Sequence, residues 1–505
     1  MVTIVLFCNY LGSVFVIAGH VYTRKKLEDI LDDVVGKTLG KVDKNFVFER
    51  AITYPKITGI AGDVIEQSVL GYRPDSSQSP DLLVDGIEIE LKTTGIRKPK
   101  KKSIHQFEAK EPMSITAVSP ERISSEEFEK SNFWHKLEYM LLVYYHYDSD
   151  VVVRAIDYSN FVIEGYQFHQ FTEEDKEILK NDWVIVRDFI KNLQEQYDTP
   201  EDEYHRISSE LRKELMFIDI APKWPNRPRF RLKRSTVSNI VQKYFGEKFE
   251  KLDANYSTFK ELDEELHHLT DLHRGKTVHQ LMEEFEIPLV LNKNGNISKS
   301  ISEQIVVKMF GANAKKISKI ELFSKIGIVP KTVTQTTKCT RTEDTKLFTI
   351  DFTEWTDESI DFEDSFVFNY FKNQQFLCIL FEEPSTSSKL IENRFLGFKR
   401  LVFQEDFIEI DVKKVWNEIR FLVNDNQLKE SIEYKKDGTP IINKTGVYKT
   451  SINFPKSENN TVFVRGSGKD SNRKTLIING ISMYKQNLWI KGSDLVKKLK
   501  RIEFL

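Results

Sequence analysis

Cysteine is nearly absent. Cys8, Cys339 and Cys378 are the three in a chain of 505 residues. They lie too far apart for a disulfide framework or a zinc knuckle, which excludes a stapled secreted module and leaves a reducing, cytoplasmic setting as the expectation. Histidine is sparse as well: ten residues show no paired metal spacing, and the adjacent His267 and His268 lie in a charged helical stretch, where they read as solvated surface. Neither sign of charge is in excess, because 74 Lys+Arg against 76 Asp+Glu leave a formal charge of -2. Any surface for a polyanion therefore has to be local. Long apolar runs are missing but for one, Val2 to Gly19, which Asn9, Gly12 and Ser13 interrupt and which no Lys or Arg precedes. A signal peptide would want a basic start. A membrane element, a buried segment, and a start placed upstream of a protein that begins near Val21 all stay open.

What is present suits packed domains. A hydrophobic fraction of 40% with 12% aromatics argues against disorder, and at about 100 to 200 residues per domain the length allows two to four domains. KKLEDILDDVV from Lys25 sets Leu27, Ile30, Leu31, Val34 and Val35 on one helical face. GDVIEQSVLGY reads as a second helix ending at Gly71, and DLLVDGIEIELKTT alternates around an Asp85-Gly86 turn. MLLVYYHY from Met140 is apolar enough for a central strand, VVVRAIDY from Val151 reads as its neighbour, and Glu174 to Leu193 returns to helical spacing. This order predicts an α/β (α+β) fold, a mixed sheet flanked by helices.

The second half echoes the first. Glu66-Gln67 in GDVIEQSVLGY pair with Glu303-Gln304 in KSISEQIVVKMFG, Lys92 pairs with Lys331, and KLEYMLLVYY from Lys136 matches KNQQFLCILF from Lys372 without a gap. LEDILDDVVGKTLGKVDKN from Leu27 is set against VHQLMEEFEIPLVLNKNGN from Val278, and the helix EDKEILKNDWVIVRDFIKN against EDFIEIDVKKVWNEIRFLVND. A fold duplicated in tandem is expected, with an apolar extension over 1–20, a first domain over 21–245, a charged helical connector over 246–275 and a second domain over 276–505.

The chemistry concentrates at Pro80-Asp81 and Glu90-Leu91-Lys92. On a strand, Glu90 and Lys92 share a face. Asp81 can bring a second carboxylate, and two such oxygens with those of a phosphate suit Mg²⁺. That set can polarise a phosphodiester and position the attacking water. Glu88 competes with Glu90 and Asp85 with Asp81, but only Glu90 has the Glu-x-Lys spacing. A carboxylate and a lysine two apart on a strand more often make a solvated face, so context carries the reading: Glu66 on the preceding helix, and Lys136 at the expected start of the central strand.

GDVIEQ, SPDLLVDGIEIELK and FWHKLEYMLLVYY resemble the MutH family of mismatch-repair nicking endonucleases and its Sau-3A-type restriction enzymes, which have a PD-(D/E)xK core. The resemblance covers nearly the whole chain, including the duplication of the restriction branch. It implies Asp81 and Glu90 as Mg²⁺ ligands, Lys92 at the attacking water, and Glu66 and Lys136 completing the site, with Glu66 a third candidate metal ligand. One departure is the separation of Asp81 from Glu90 by nine residues, about two more than usual for the family. In the second copy Val329 stands where Glu90 stood, so that copy is expected to be non-catalytic and, by the resemblance, to bind DNA or regulate; a purely structural partner is the plainer alternative.

Basic residues cluster locally. IAPKWPNRPRFRLKRST from Ile220 carries Lys223, Arg227, Arg229, Arg231, Lys233 and Arg234, and VRGSGKDSNRK from Val464 carries Arg465, Lys469, Arg473 and Lys474. Both fit phosphate contacts, as does IRKPKKKS from Ile96, although a solvated basic loop would look the same. The expected activity is that of a type II site-specific deoxyribonuclease acting on double-stranded DNA, with GATC as the target implied by resemblance. A monomer pairing on DNA and a cognate methyltransferase as genetic partner complete it. The alternatives are a mismatch-repair-type nicking endonuclease and a non-cleaving DNA-binding regulator.

Overall fold

The computed structural model describes residues 20–505 except 56, 73–78, 100–106, 150–152, 223, 294, 339–342, 386–387, 436, 444–445 and 469–473, and also describes the strand pair Phe7–Cys8 and Val14–Phe15. The remainder of the apolar start lies outside the described residues. No described helix is long and apolar enough to cross a membrane. The chain forms two compact units. The first takes in Met1–Ser149, Val153–Glu261 and Glu321–Gly327, and the second Leu262–Ile320 and Ile328–Leu505.

In the first unit the main sheet runs β1 (His20–Tyr22), β2 (Leu82–Val84), β3 (Ile87–Arg97), β5 (Met140–His146) and β6 (Val162–His169). The β2–β3 hairpin closes on Asp85 (φ 49°) and Gly86 (φ 84°), two left-handed residues in succession, as a two-residue hairpin turn requires. Strand β5 is buried at every position except its last because it lies inside the sheet, parallel to β3 and antiparallel to β6. Helix α1 (Arg24–Val34), capped by the Thr23 hydroxyl, buries Leu27, Leu31 and Val34. The short helices α2 (Leu39–Val42) and α3 (Ile60–Val64) follow, and α3 continues as a π turn through Ile65–Leu70. Helix α4 (Asn132–Glu138) feeds β5, and α5 (Glu173–Gln196) follows β6. A smaller sheet has the order β7 (Ile218–Ala221), β8 (Arg229–Leu232), β4 (Met113–Ala117), and α6 (Arg234–Tyr244) follows it. The strand expected from Val151 is absent among the described residues of that stretch. Asp157 caps a 3₁₀ turn over Ala155–Asn160 instead, and β6 takes the place beside β5.

The second unit contains α7 (Phe259–His273, from Leu262 on), α8 (Val278–Glu284) and α9 (Ile301–Met309). Helix α10 (Glu321–Ile326) belongs to the first unit. The sheet β9 (Ile328–Thr336), β11 (Gln375–Glu383), β12 (Arg394–Leu401) pairs parallel and then antiparallel, as β3, β5 and β6 do. Helix α11 (Phe366–Asn373) feeds β11, and α12 (Lys413–Asn424) follows β12. A small sheet β13 (Val462–Ser467), β14 (Lys485–Ile490), β10 (Thr345–Thr349) precedes α13 (Gly492–Lys500), with the order seen in β7, β8, β4. Registers also coincide. Lys92 pairs with Leu142 and Lys331 with Cys378, which are the aligned positions of the two central strands.

Two expectations need correction. The stretch 246–275, expected as a charged helical connector, is not a separate element between two domains: the units divide within it at 261/262, and α7 buries Leu262, Leu266 and Leu269 in a core. The pairing of Leu27 with Val278 is out of register. Thr38 bridges Val162 as Thr277 bridges Arg394, so Gly36-Lys37-Thr38 corresponds to Gly275-Lys276-Thr277 and α1 to α7.

Candidate active site

The β2–β3 hairpin brings the acidic residues together. Leu82 pairs with Ile89, Leu83 with Glu88 and Val84 with Ile87, so continuing the register by one residue sets Asp81 across from Glu90. The nine-residue separation is thus what a two-residue turn between these strands produces. Asp81 Oδ2 accepts the Leu91 N–H at 3.0 Å. Glu90 is 1% exposed, and its Oε1 accepts from Lys92 Nζ at 2.6 Å. Lys136 Nζ donates to both Glu90 oxygens, at 2.9 and 2.8 Å. A buried carboxylate held by two ammonium groups is stable only because each partner satisfies the other. Lys136 lies on α4 instead of starting the strand, and it reaches Glu90 from there. Glu88 and Asp85 are exposed, and Asp85 Oδ2 accepts from the Arg24 backbone, which removes both from the site.

Glu66 projects from the π turn that ends at Gly71 (φ 81°). Burial, then the charges of Asp81 and Asp63, push its carboxyl up to about 7. Burial, and after it the charge of Glu90, push Asp81 up to about 6, against the opposing pull of Lys92 and Lys136. These acids feel one another's charge in a desolvated setting. Among the described residues no three His, Cys, Asp or Glu side chains are already arranged around a cation position; the two lysines occupy Glu90's oxygens. The donor chemistry nevertheless fits a hard divalent ion, which takes carboxylate oxygens and would offset the burial and the mutual repulsion that raise Glu66 and Asp81.

A stability prediction follows from these directions. A carboxyl whose folded pKa lies above its unfolded value destabilises the fold above the folded pKa and costs nothing below the unfolded one. Asp81→Asn, which keeps an oxygen for the Leu91 N–H, is therefore expected to raise stability at pH 8 without added metal by about 1–2 kcal/mol after allowance for partial exposure. The gain should shrink as pH falls through 6 and vanish near 4. Urea melts at three pH values check this; an equal gain at every pH would refute it.

The basic segments are less free than their sequence suggests. Arg231 bonds Asp219 at 2.6 Å, Lys233 is 6% exposed and donates to the Leu215 carbonyl, and Arg234 bonds Glu108 and the Ala109 carbonyl. Lys233 is thereby taken into the fold, while Arg231 and Arg234 stay partly exposed beside their acidic partners. Arg229 is exposed, while Arg227 bonds Ser119 and Glu121. Arg465 pairs with Asp344 at 2.7 Å and Lys474 with Glu430 at 2.7 Å. Lys223, Lys469 and Arg473 lie outside the described residues. In the second unit Val329 pairs with Phe376 as Glu90 pairs with Met140, and Lys372, aligned with Lys136, pairs with Glu405 at 2.8 Å. Glu303, aligned with Glu66, accepts from the Ile317 N–H and is raised by burial.

A mixed sheet that carries Asp and Glu-x-Lys at one place, with a further lysine reaching in from the adjoining helix, is the framework of a restriction-endonuclease-like nuclease. Residues 70–182 match the family described as the DNA mismatch repair enzyme MutH. The chain is also 24% identical over 480 residues to the type II restriction enzyme Sau3AI of Staphylococcus aureus, spanning 86% of this chain and 91% of that one. The chain is thus similar to the MutH/Sau3AI-type family.

Proposed function

We propose that the protein is a type II restriction endonuclease that hydrolyses phosphodiester bonds of double-stranded DNA. The observation that carries this is the buried Glu90 held by Lys92 and Lys136, with Asp81 across the hairpin from it. Asp81 and Glu90 would hold Mg²⁺, with Glu66 able to contribute. When bound, such an ion polarises the scissile phosphate and acidifies water. Lys92, 23% exposed at its side chain, faces the attacking water, positions it and stabilises developing charge. Lys136, donating to both Glu90 oxygens, holds that carboxylate in place. GATC is the proposed target, and a cognate methyltransferase would protect the host.

The matching strand orders and registers of the two units support a tandem duplication in which the second copy has lost its chemistry, because Val329 offers no oxygen where the first copy has Glu90. That copy then binds DNA or regulates the first. One site cuts one strand, so two chains pairing on DNA is the proposed working form. The test is incubation of unmethylated plasmid with Mg²⁺ and with EDTA, followed by mapping of the ends. Linear product only with Mg²⁺, and a Lys331→Ala variant within about twofold of wild type, are expected. Nicked circles as the end product would favour a repair-type nicking enzyme, as the MutH match over 70–182 would allow. Intact plasmid throughout would leave a non-cleaving DNA-binding regulator.

A further inference from the structure

We propose that a cavity at the edge of the small sheet β7-β8-β4 in the first unit is a phosphate pocket, in which Arg122 and Arg227 together grip one phosphodiester group of the DNA backbone. The proposal rests on the nuclease reading for the identity of its ligand. The cavity measures about 60 Å³ and is lined by Ser119, Arg122, Glu126, Asn132 and Arg227, with Phe230 among its apolar walls. A single water needs roughly 10–15 Å³ by such a measure, so there is room for a group of several atoms.

The geometry points to an anion. Arg122 Nη2 donates to Ser119 Oγ at 3.1 Å, and Arg227 Nη2 donates to the same oxygen at 2.7 Å. Two guanidinium groups thus converge on one neutral hydroxyl, that of the buried Ser119, which has no further lone pair to offer. Like charges brought together around a neutral atom are stabilised by an anion between them, and the planar fork of arginine matches phosphate oxygens two at a time. Arg227 also bonds Glu121 at 2.8 Å, but both side chains of that pair are more than half exposed, so exchanging it for a phosphate costs little. With Glu121 released and Glu126 counted, the lining carries one net positive charge, the complement of a singly charged phosphodiester.

Its place in the chain fits the same partner. Arg227 lies in the turn between β7 and β8, inside the basic segment from Ile220, and the Val118 N–H bonds the Pro228 carbonyl at 2.8 Å, which ties that turn to the Ser119 loop. Arg231, Lys233 and Arg234 from the same segment are held by partners within the unit, which leaves the exposed Arg229 and Arg227, whose ion pair with Glu121 is solvent-exposed, as the segment's outward guanidinium groups. A phosphate contact fixes position on the duplex and carries no base information.

The test uses the full chain in EDTA, so that binding is read without cleavage. Affinities for a duplex with GATC and for one without it are measured against salt concentration for wild type, Arg122→Ala, Arg227→Ala and the double variant. Expected are parallel losses on both duplexes of roughly tenfold or more in the double variant, with its log–log salt slope flatter by about 0.9, the value for one phosphate. The two single effects should not add, since both arginines hold one group. Independently, millimolar inorganic phosphate should raise the melting temperature of wild type and not that of the double variant. Unchanged slopes and affinities, or a loss confined to the GATC duplex, would overturn the proposal. Should the alanine variants melt early, Arg122→Lys with Arg227→Lys keeps the charge and loses the forks; weaker affinity at an unchanged slope supports the two-armed grip, and wild-type affinity refutes it. If phosphate stabilises wild type through this pocket but no duplex binds, the assignment to DNA fails together with the nuclease reading. If wild type cuts DNA and the pocket variants bind like it, only the pocket proposal fails.

Discussion

Lys92→Ala is expected to slow DNA cleavage at least about a thousandfold in single-turnover assays, while its melting temperature stays within a few degrees of wild type. Removing one preorganised charge-stabilising donor at a reacting centre costs on the order of 10²–10³ in rate, and a lysine that also orients the nucleophile costs more. The fold should tolerate the loss. Glu90 loses one contact at 2.6 Å, but Lys136 still donates to both of its oxygens, so no buried carboxylate is left alone. Lys136→Ala makes the contrast: it removes the more deeply buried partner and leaves Glu90 with the half-buried Lys92 alone. A Lys92→Ala rate within tenfold of wild type would sink the assignment of this residue to the chemistry.

Asp182→Ala is expected to destabilise the first unit by about 3–5 kcal/mol without touching the site. Asp182 is 1% exposed on α5, and its two oxygens accept the backbone N–H groups of Met216 (2.7 Å), Phe217 (2.7 Å) and Ile218 (3.1 Å) as the chain enters β7. Alanine leaves those three donors buried without an acceptor, each at a cost of about 1–3 kcal/mol before relaxation. Complete burial raises this carboxyl to about 6 even though the three hydrogen bonds and Lys233 pull it down. Its ionisation thus opposes folding increasingly as pH rises from 4 through 6. The three bonds still make the aspartate far better than alanine. Chemical denaturation of the two forms at pH 7 measures the difference, and a loss below about 1 kcal/mol would show that water reaches the orphaned donors.

The local site was legible in the residues because it is built from short-range rules. Period-two alternation and the Asp85-Gly86 turn place Asp81, Glu90 and Lys92 on one hairpin, and the unbroken apolar run from Met140 marks the central strand beside it. What stayed hidden depends on partners distant in sequence. Nothing near Arg231, Lys233 or Arg234 announces Asp219, the Leu215 carbonyl or Glu108, so a stretch without acids read as a free basic surface although these three side chains have partners within the unit. Helix α7 looked like a connector because its Glu and His residues dominate the composition. Leu262, Leu266 and Leu269 were the signal of a packed face, and the Gly-Lys-Thr at both 36 and 275 was the signal of the matching bridges of Thr38 and Thr277. Lys136 was expected on a strand, but the hydroxyl of Ser131 caps a helix there, accepting from the Trp134 N–H at 3.1 Å.

Helix α10 bears on where this gene could be divided. Its Lys325 Nζ bonds Asp175 on α5 at 2.7 and 2.8 Å and Glu321 at 2.7 Å, while Lys243 on α6 bonds Glu321 at 2.8 Å. Thr236 Oγ1 donates to the Lys325 carbonyl at 3.1 Å. An amino-terminal fragment ending at 261 would keep Asp175, 7% exposed, and lose the ammonium that neutralises it, a defect worth about 3–5 kcal/mol when one member of a buried pair is removed. The first unit is therefore encoded discontinuously, and a stop codon or a recombination joint placed between the halves would not release a self-sufficient module.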